Sequence, residues 1–219
     1  MTPENTSALP TAPSGRRHIL PGLILAPALM LLATFQVSAN DTDWELRSEE
    51  EQVLVYTRAV EGSDFHAVKA TTRINAGSEQ LSALMGDGSE CAPWRAMCKS
   101  SRVLEVLSEQ ERHVYMVLDL PWPISDRDIV MKTTTTIDRE SRTATIDLQS
   151  ANIAHPPQKY VRAATSGQMK IAEIGPDQVE FTYIMHADLG GDLPASTVNS
   201  QLVERTHKDI RTLKKLAES

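Results

Sequence analysis

The sequence lacks the short motifs that mark most enzyme active sites. It has no GxSxG nucleophile elbow, no HExxH zinc motif, no glycine-rich phosphate loop and no CxxC pair. Its six histidines are scattered and form no local motif. We therefore expect no catalytic residue, no metal site and no cofactor, although residues distant in sequence could still assemble a site in space.

Basic clusters and cysteines are also scarce. The net charge is −7 and no basic stripe dominates, which argues against binding to nucleic acid. The two cysteines are Cys91 and Cys98. An unbroken helix between them would hold their Cα atoms about 10 Å apart, too far for a disulfide, whereas a helix that begins only at Pro93 would relax that limit. A disulfide and two free thiols remain open alternatives.

The N-terminal segment differs in character from the rest of the chain. A pair of arginines precedes an apolar run over residues 19–35, and small residues follow up to Ala39. This order is typical of a secretory signal peptide cleaved before Asn40. The run is short and contains two prolines, so an uncleaved membrane anchor is the less favoured alternative. We expect a signal peptide over residues 1–39 and one exported, periplasmic domain over residues 40–219.

Segments rich in β-branched residues dominate that domain. Turn residues separate them at short intervals, which predicts an antiparallel sheet. Strands are predicted over residues 53–60, 66–74, 102–107, 113–120, 128–138, 143–152, 161–174 and 178–189. Helices are predicted over residues 41–51 and 78–85, with residues 93–98 extending or repeating the second helix.

A long amphipathic helix is predicted from Pro194 onward. Val198, Leu202 and several later apolar residues recur at helical spacing, with basic residues between them. At 1.5 Å per residue the helix would be about 35 Å long, enough to cross a whole curved sheet. A bent antiparallel sheet wrapped around this helix is the simplest packing, and it leaves room for an internal tunnel.

The segment DLPWPISDRDIV, residues 119–130, places two acids and an arginine between two apolar runs. Asp126 and Asp128 would point to opposite sides of an extended chain, so they do not form a converging acid–base pair. Arg127 between them either pairs with an acid and holds this corner of the fold, or reaches a bound ligand. We favour the structural role.

Three segments resemble the START family of steroidogenic acute regulatory protein-related lipid-transfer domains. LPWPISDRDIV resembles the family's P-x-P-x-S-x-R-D-hydrophobic segment. DLGGDLPASTVN, residues 188–199, resembles the family's entry to its C-terminal helix, and Trp94 followed by CKSSRVLEVL resembles its tryptophan-containing helix and next strand. The segments follow the family's order, and the match runs from about Trp44 to the C-terminus.

The resemblance implies an α+β helix-grip fold, a curved antiparallel β-sheet wrapped around a long C-terminal α-helix with an internal hydrophobic tunnel. It implies a non-enzymatic monomer that binds a single lipid, such as a phospholipid, sterol or fatty acyl compound. Such a protein would shuttle the lipid between membranes through transient contact with a membrane surface. Adaptable methionines suit such a tunnel as well as a solid core. Candidate tunnel-lining residues are Trp94, Met116, Arg127, Met131, Tyr183, Met185, Val198 and Leu202.

An enzyme is the alternative from a different class. Helix-grip enzymes of the polyketide cyclase and aromatase type act on a hydrophobic substrate in a related pocket. That function would need polar groups such as His113, Asp147, His186 and Arg127 to converge in the tunnel. A third alternative is an interaction module whose interior is filled.

Overall fold

The structure is a computed structural model that describes residues 43–153, 155 and 159–219. The predicted signal peptide and its cleavage point lie outside the described residues. The described part contains ten β-strands and two α-helices. In chain order these are β1 (Glu45–Glu50), β2 (Val53–Val60), β3 (Ser63–Ile74), α1 (Ser78–Met85), β4 (Cys98–Val106), β5 (Glu111–Leu118), β6 (Arg127–Asp138), β7 (Thr143–Ser150), β8 (Val161–Arg162), β9 (Ala164–Gly175), β10 (Gln178–Asp188) and α2 (Ala195–Ala217).

All the described strands belong to one curved sheet, as predicted. Nine of them follow the order β1-β2-β3-β10-β9-β7-β6-β5-β4 with antiparallel neighbours, and the short β8 pairs in parallel with β6. Alternation of side chains explains the arrangement, because one face of each strand must be apolar to cover a core. Along β10, Val179, Phe181 and every second residue after them pack in the main core, as their spacing predicted.

The long helix α2 lies against β1, β2 and β3 and also contacts α1. Its buried positions recur at helical spacing and include Ile210 and Leu213, both with no exposed surface. Near its start, the Asn199 side chain accepts a hydrogen bond from the His66 N–H and donates one to the Asp64 carbonyl, each at 2.9 Å. The helix is therefore held against β3 by hydrogen bonds between the Asn199 side chain and the β3 backbone, as well as by apolar packing.

Two helix predictions are wrong. A helix is predicted over residues 41–51, but residues 45–50 form β1, the edge strand of the sheet, which pairs with β2. The pattern of apolar residues does not distinguish a helix from a strand there, because β1 is nearly all exposed and gains its stability from backbone pairing. The helix predicted over residues 78–85 is present as α1, with Gly77 at its N-cap position and no side-chain hydrogen bond there.

Residues 93–98 do not form a helix either. Successive turns occupy this segment, and β4 begins at Cys98. The turns bring the Cα atoms of Cys91 and Cys98 to 5.7 Å, and the two cysteines form a disulfide. The 10 Å separation assumed for a continuous helix therefore does not apply.

Arg127 joins the two most characteristic sequence segments. Its Nε donates to the Leu189 carbonyl at 2.6 Å and its Nη2 to the Gly190 carbonyl at 3.3 Å. Gly190 and Gly191 have positive φ angles of 61° and 67°, and a Cβ on Gly190 would lie 2.8 Å from the Arg162 carbonyl oxygen. Glycine is therefore required where the chain turns against the arginine before it enters α2.

Candidate functional site

A cavity of about 200 Å³ lies between the concave face of the sheet and the N-terminal part of α2. Strands β3, β4, β5, β6, β7, β9 and β10 contribute to its wall. The helix α2, the turns before β4, the loop between β5 and β6 and the segment between β10 and α2 complete it. Most of the lining side chains are aliphatic or methionine, because these positions alternate with residues on the outer face of each strand. An apolar interior of this kind favours a hydrophobic ligand.

Six of the eight candidate tunnel residues lie at the cavity wall. They are Met116, Met131, Tyr183, Met185, Val198 and Leu202. The strand residues come from β5, β6 and β10, and the other two come from the first turns of α2. Whether they contact a ligand remains a prediction, but their placement gives the cavity an adaptable wall.

Trp94 lies behind the cavity wall and not in it. Its side chain is 2% exposed, and its indole Nε1 donates to the Leu84 carbonyl at 3.0 Å. The Trp94 ring meets the Tyr183 ring edge-on at a centroid distance of 6.1 Å. Trp94 therefore supports the lining residue Tyr183 from behind.

Arg127 is likewise absent from the cavity wall. All its described hydrogen bonds go to neighbouring protein groups, namely the carbonyls of Leu189, Gly190 and Ser125 and the Ser125 hydroxyl. Its expected carboxylate partner is not used, since Asp128 is fully buried and pairs with Arg162 at 2.6 Å. The hydrogen bonds of the guanidinium hold the loop before β6 against the turn before α2, which is a structural role.

Polar side chains gather on one part of the otherwise apolar wall. We call Arg95, Tyr183, Gln201, Arg205 and Asp209 the polar group. Three of its members lie on α2, where the Asp209 carboxylate accepts from the Ala96 N–H at 3.3 Å. The other two come from the turns before β4 and from β10.

The candidate residues predicted from the sequence do not include Arg95, Gln201, Arg205 or Asp209. On the last helix, the sequence pattern separates the apolar positions from the basic residues that lie between them. The spacing on this helix gave the missing signal, since Leu202, Arg205 and Asp209 follow one another at intervals of three and four and therefore share a helical face.

Burial changes the acid–base properties of two members of the polar group. Burial raises the pKa of the Asp209 carboxyl, although the Ala96 N–H and the charge of Arg95 act in the opposite direction. Burial also raises the pKa of the Tyr183 hydroxyl, which therefore stays protonated at neutral pH. The cavity thus offers a neutral phenol beside two guanidinium groups.

The groups proposed for an enzyme do not converge in the cavity. His113 lies within 3.1 Å of Glu105, His186 contacts the Ser63 hydroxyl at 3.1 Å, and Asp147 accepts from Gln168 at 2.8 Å. None of the four candidates lines the cavity. Among the described residues, no cluster of three His, Cys, Asp or Glu side chains could hold a metal ion.

A curved antiparallel sheet that grips a C-terminal helix, with an apolar cavity between them, defines a helix-grip domain that binds hydrophobic ligands. Within the described part of the chain, neither helix combines the length and hydrophobicity needed to cross a membrane. The chain belongs to the START domain family, whose model matches residues 28–218. This match confirms the family and the fold that the sequence segments predicted.

Known proteins similar to this chain agree with that membership. An uncharacterized protein of Pseudomonas aeruginosa is 27% identical over 200 residues, which cover 89% of this chain and 98% of that protein. The STAR-related lipid transfer protein of Xanthomonas axonopodis superposes with a TM-score of 0.72 at 26% identity, over 81% of this chain and 99% of that structure. Human StAR-related lipid transfer protein 5 shares the fold at 16% identity, with a TM-score of 0.76 over 82% of this chain and 88% of that structure.

Proposed function

We propose that this protein binds one lipid in the cavity and carries it between membranes without a catalytic step. The apolar wall between the sheet and α2 is the observation that carries the proposal. A ligand that fills such a wall gains about 25 cal/mol for each Å² of apolar surface removed from water. The similarity to a bacterial protein named for lipid transfer supports the same function.

The size of the cavity favours a small or single-chain ligand. Its 200 Å³ is less than the roughly 300–1,000 Å³ of a common small-molecule site. A sterol or a two-chain phospholipid would require α2 or a neighbouring loop to move outward. The methionines and leucines of the wall can adjust to a narrow chain with smaller changes.

The hydrogen bonds of the three acid–base candidates predicted on the strands support a non-enzymatic role. His113, Asp147 and His186 are each engaged with a neighbouring side chain and do not line the cavity. The charged residues that do line it, Arg95, Arg205 and Asp209, suit recognition of a ligand's polar end better than general acid–base chemistry.

We also propose that the protein is exported and works as a monomer in the periplasm after cleavage before Asn40. The n-region, apolar run and small-residue site of the sequence support this location. The disulfide between Cys91 and Cys98 adds support, because such bonds persist mainly in oxidising compartments.

Lipid content measured by native mass spectrometry tests the proposed function. Protein purified from cells should carry a lipid, and Val198→Phe should abolish its retention because the larger ring fills the cavity. Val106→Phe is the matched control, since Val106 is 66% exposed on β4. Wild-type protein that carries no lipid and takes none up from vesicles would contradict the proposal.

A further inference from the structure

Arg95 lines the cavity, and its guanidinium has no hydrogen-bond acceptor among the residues that the structure describes. It lies 4.8 Å from the centroid of the Trp94 ring and 5.8 Å from that of Tyr183, within cation–π distance of both rings. Among the described residues, no carboxylate lies within ion-pair distance of it. An arginine side chain carries five N–H donors in a planar fork, and here they are all available.

Arg205 supplies a second guanidinium at the cavity wall, and some of its N–H donors are already hydrogen-bonded within the protein. Its Nε donates to the Gln201 side-chain oxygen at 3.0 Å, an Nη2 hydrogen donates to the same oxygen, and Nη1 contacts the Met97 sulfur at 2.9 Å. Three of its five N–H donors are thereby engaged, and two are left. The contacts to Gln201 and Met97 orient the guanidinium along the cavity wall.

The charges of the polar group determine which ligand charge the cavity favours. The Tyr183 hydroxyl faces the cavity and has no hydrogen-bond partner within the described part of the chain. Arg95, Arg205 and the Asp209 carboxylate are the acidic and strongly basic side chains of the cavity wall. Two positive charges against one negative charge leave a net charge of about one positive unit, which matches a singly charged anion.

We propose that the polar group binds the carboxylate of a single-chain fatty acid, whose chain occupies the apolar part of the cavity. The proposal rests on the proposed lipid-binding function and names the ligand class. A carboxylate offers the two coplanar oxygens that guanidinium forks recognise. A phosphate monoester offers similar oxygens but carries about −1.5 to −2 charges, more than this wall balances. The narrow cavity favours one chain over two.

Three probes with one chain length test the proposal: dodecanoate, dodecanol and dodecyl phosphate, each titrated below its micelle concentration. Isothermal titration calorimetry should show dodecanoate binding at least about tenfold more tightly than dodecanol, because hydrogen bonds to charged groups are the stronger ones. Dodecyl phosphate should bind more weakly than dodecanoate. The heads differ while the chain stays the same, so the comparison isolates the polar group.

Substitutions of single residues then test which side chains of the polar group bind the carboxylate. Arg95→Gln and Arg205→Gln should each weaken dodecanoate binding about tenfold and leave dodecanol binding unchanged. Tyr183→Phe, which removes one hydroxyl and keeps the ring packing, should weaken dodecanoate by a smaller factor. Asp209→Asn should strengthen it, since the substitution removes the negative charge and keeps the acceptor for the Ala96 N–H. Arg139→Gln is the control, because it removes the same charge from an exposed turn.

The outcomes separate the ligand class from the general function. Equal binding of dodecanoate and dodecanol, insensitive to the arginine substitutions, would overturn the carboxylate site while lipid binding stands. Tighter binding of dodecyl phosphate than of dodecanoate would overturn the assignment to a carboxylate. If no probe binds, the carboxylate site is overturned, and the lipid content measured by native mass spectrometry decides separately whether lipid binding stands. Circular dichroism spectra of each variant verify that the fold is retained, and Tyr183→Phe keeps the test valid if an arginine variant unfolds.

Discussion

At the scale of single residues, Arg127 shows how a buried charge can hold a corner without an ion pair. The side chain is 4% exposed and its hydrogen bonds end on backbone carbonyls and one hydroxyl. Buried carbonyl oxygens outside the regular ladders of helices and sheets need a donor from elsewhere, and one guanidinium can satisfy several of them. The same side chain links the loop before β6 to the turn before α2.

We expect Arg127→Ala to lower the free energy of unfolding by about 2–4 kcal/mol, because several buried carbonyl oxygens lose their donor. Urea denaturation followed by circular dichroism measures the change. Arg127→Lys should fall between the wild type and alanine, since an ammonium reaches fewer of these acceptors. The exposed Arg139→Ala should change the unfolding free energy little.

The opposite pattern would assign Arg127 to the ligand. Unchanged stability of Arg127→Ala together with lost lipid binding would mean that the guanidinium serves the cavity. A parallel titration with dodecanoate on the same variants provides that comparison.

Single residues were also where prediction from sequence failed most often. Met116, Met131 and Met185 lie at the cavity wall, because strand alternation fixes which way a residue points. Trp94 was assigned to the wall and lies behind it. Arg95, its neighbour in the chain, reaches the cavity. Both lie in irregular turns, where no periodicity indicates direction.

At the scale of elements, most strands and both helices follow from periodicity, whereas the edge strand and the turns do not. The strand β10 was predictable because its core-facing residues alternate for its full length. The edge strand β1 was not, since its side chains are mostly exposed and its stability comes from pairing with β2. The disulfide could not be decided either, because its geometry depends on turns that sequence spacing does not specify.

The start of α2 is the element that we expect to open for ligand exchange. It covers the cavity through Val198 and Leu202, and the Asn199 side chain fastens it to β3 by two hydrogen bonds of 2.9 Å. Hydrogen bonds of this kind contribute about 0.5–1.5 kcal/mol each. Removing both would ease a local opening and leave most of the apolar cover in place.

We therefore expect Asn199→Ala to speed release of a bound fluorescent fatty acid about tenfold, consistent with the loss of two such hydrogen bonds. Stopped-flow fluorescence measures the release rate. Ser200→Ala is the matched control, because the Ser200 hydroxyl bonds only within the helix, to the Thr197 carbonyl. Equal release rates in the two variants would place the opening elsewhere.

At the scale of the whole molecule, an exposed tryptophan marks the side of the domain next to the cavity. Pro121 and Ile124 line the cavity, and Trp122 between them is 91% exposed. Water is a poor environment for an indole ring, whereas the boundary between lipid head groups and acyl chains suits its apolar body and polar N–H. Under the proposed function, a membrane would contact the protein where a lipid enters.

We expect Trp122→Ala to slow lipid transfer between vesicles several-fold while the affinity for dodecanoate stays the same. The ring contributes to membrane contact and not to the cavity wall, so the rate of transfer changes and equilibrium binding does not. A vesicle assay with a fluorescent lipid in donor vesicles and a quencher in acceptor vesicles measures transfer, and flotation measures vesicle binding.

Ile137→Ala provides the matched control for Trp122. Ile137 is 69% exposed and lies near the opposite end of β6 from Arg127. Its removal also takes an apolar side chain from the surface, but far from the cavity, and we expect no effect on transfer. If both variants slowed transfer equally, general surface hydrophobicity would be responsible. If neither did, the membrane contact would lie on another face, and the proximity of Trp122 to the cavity would have no role in transfer.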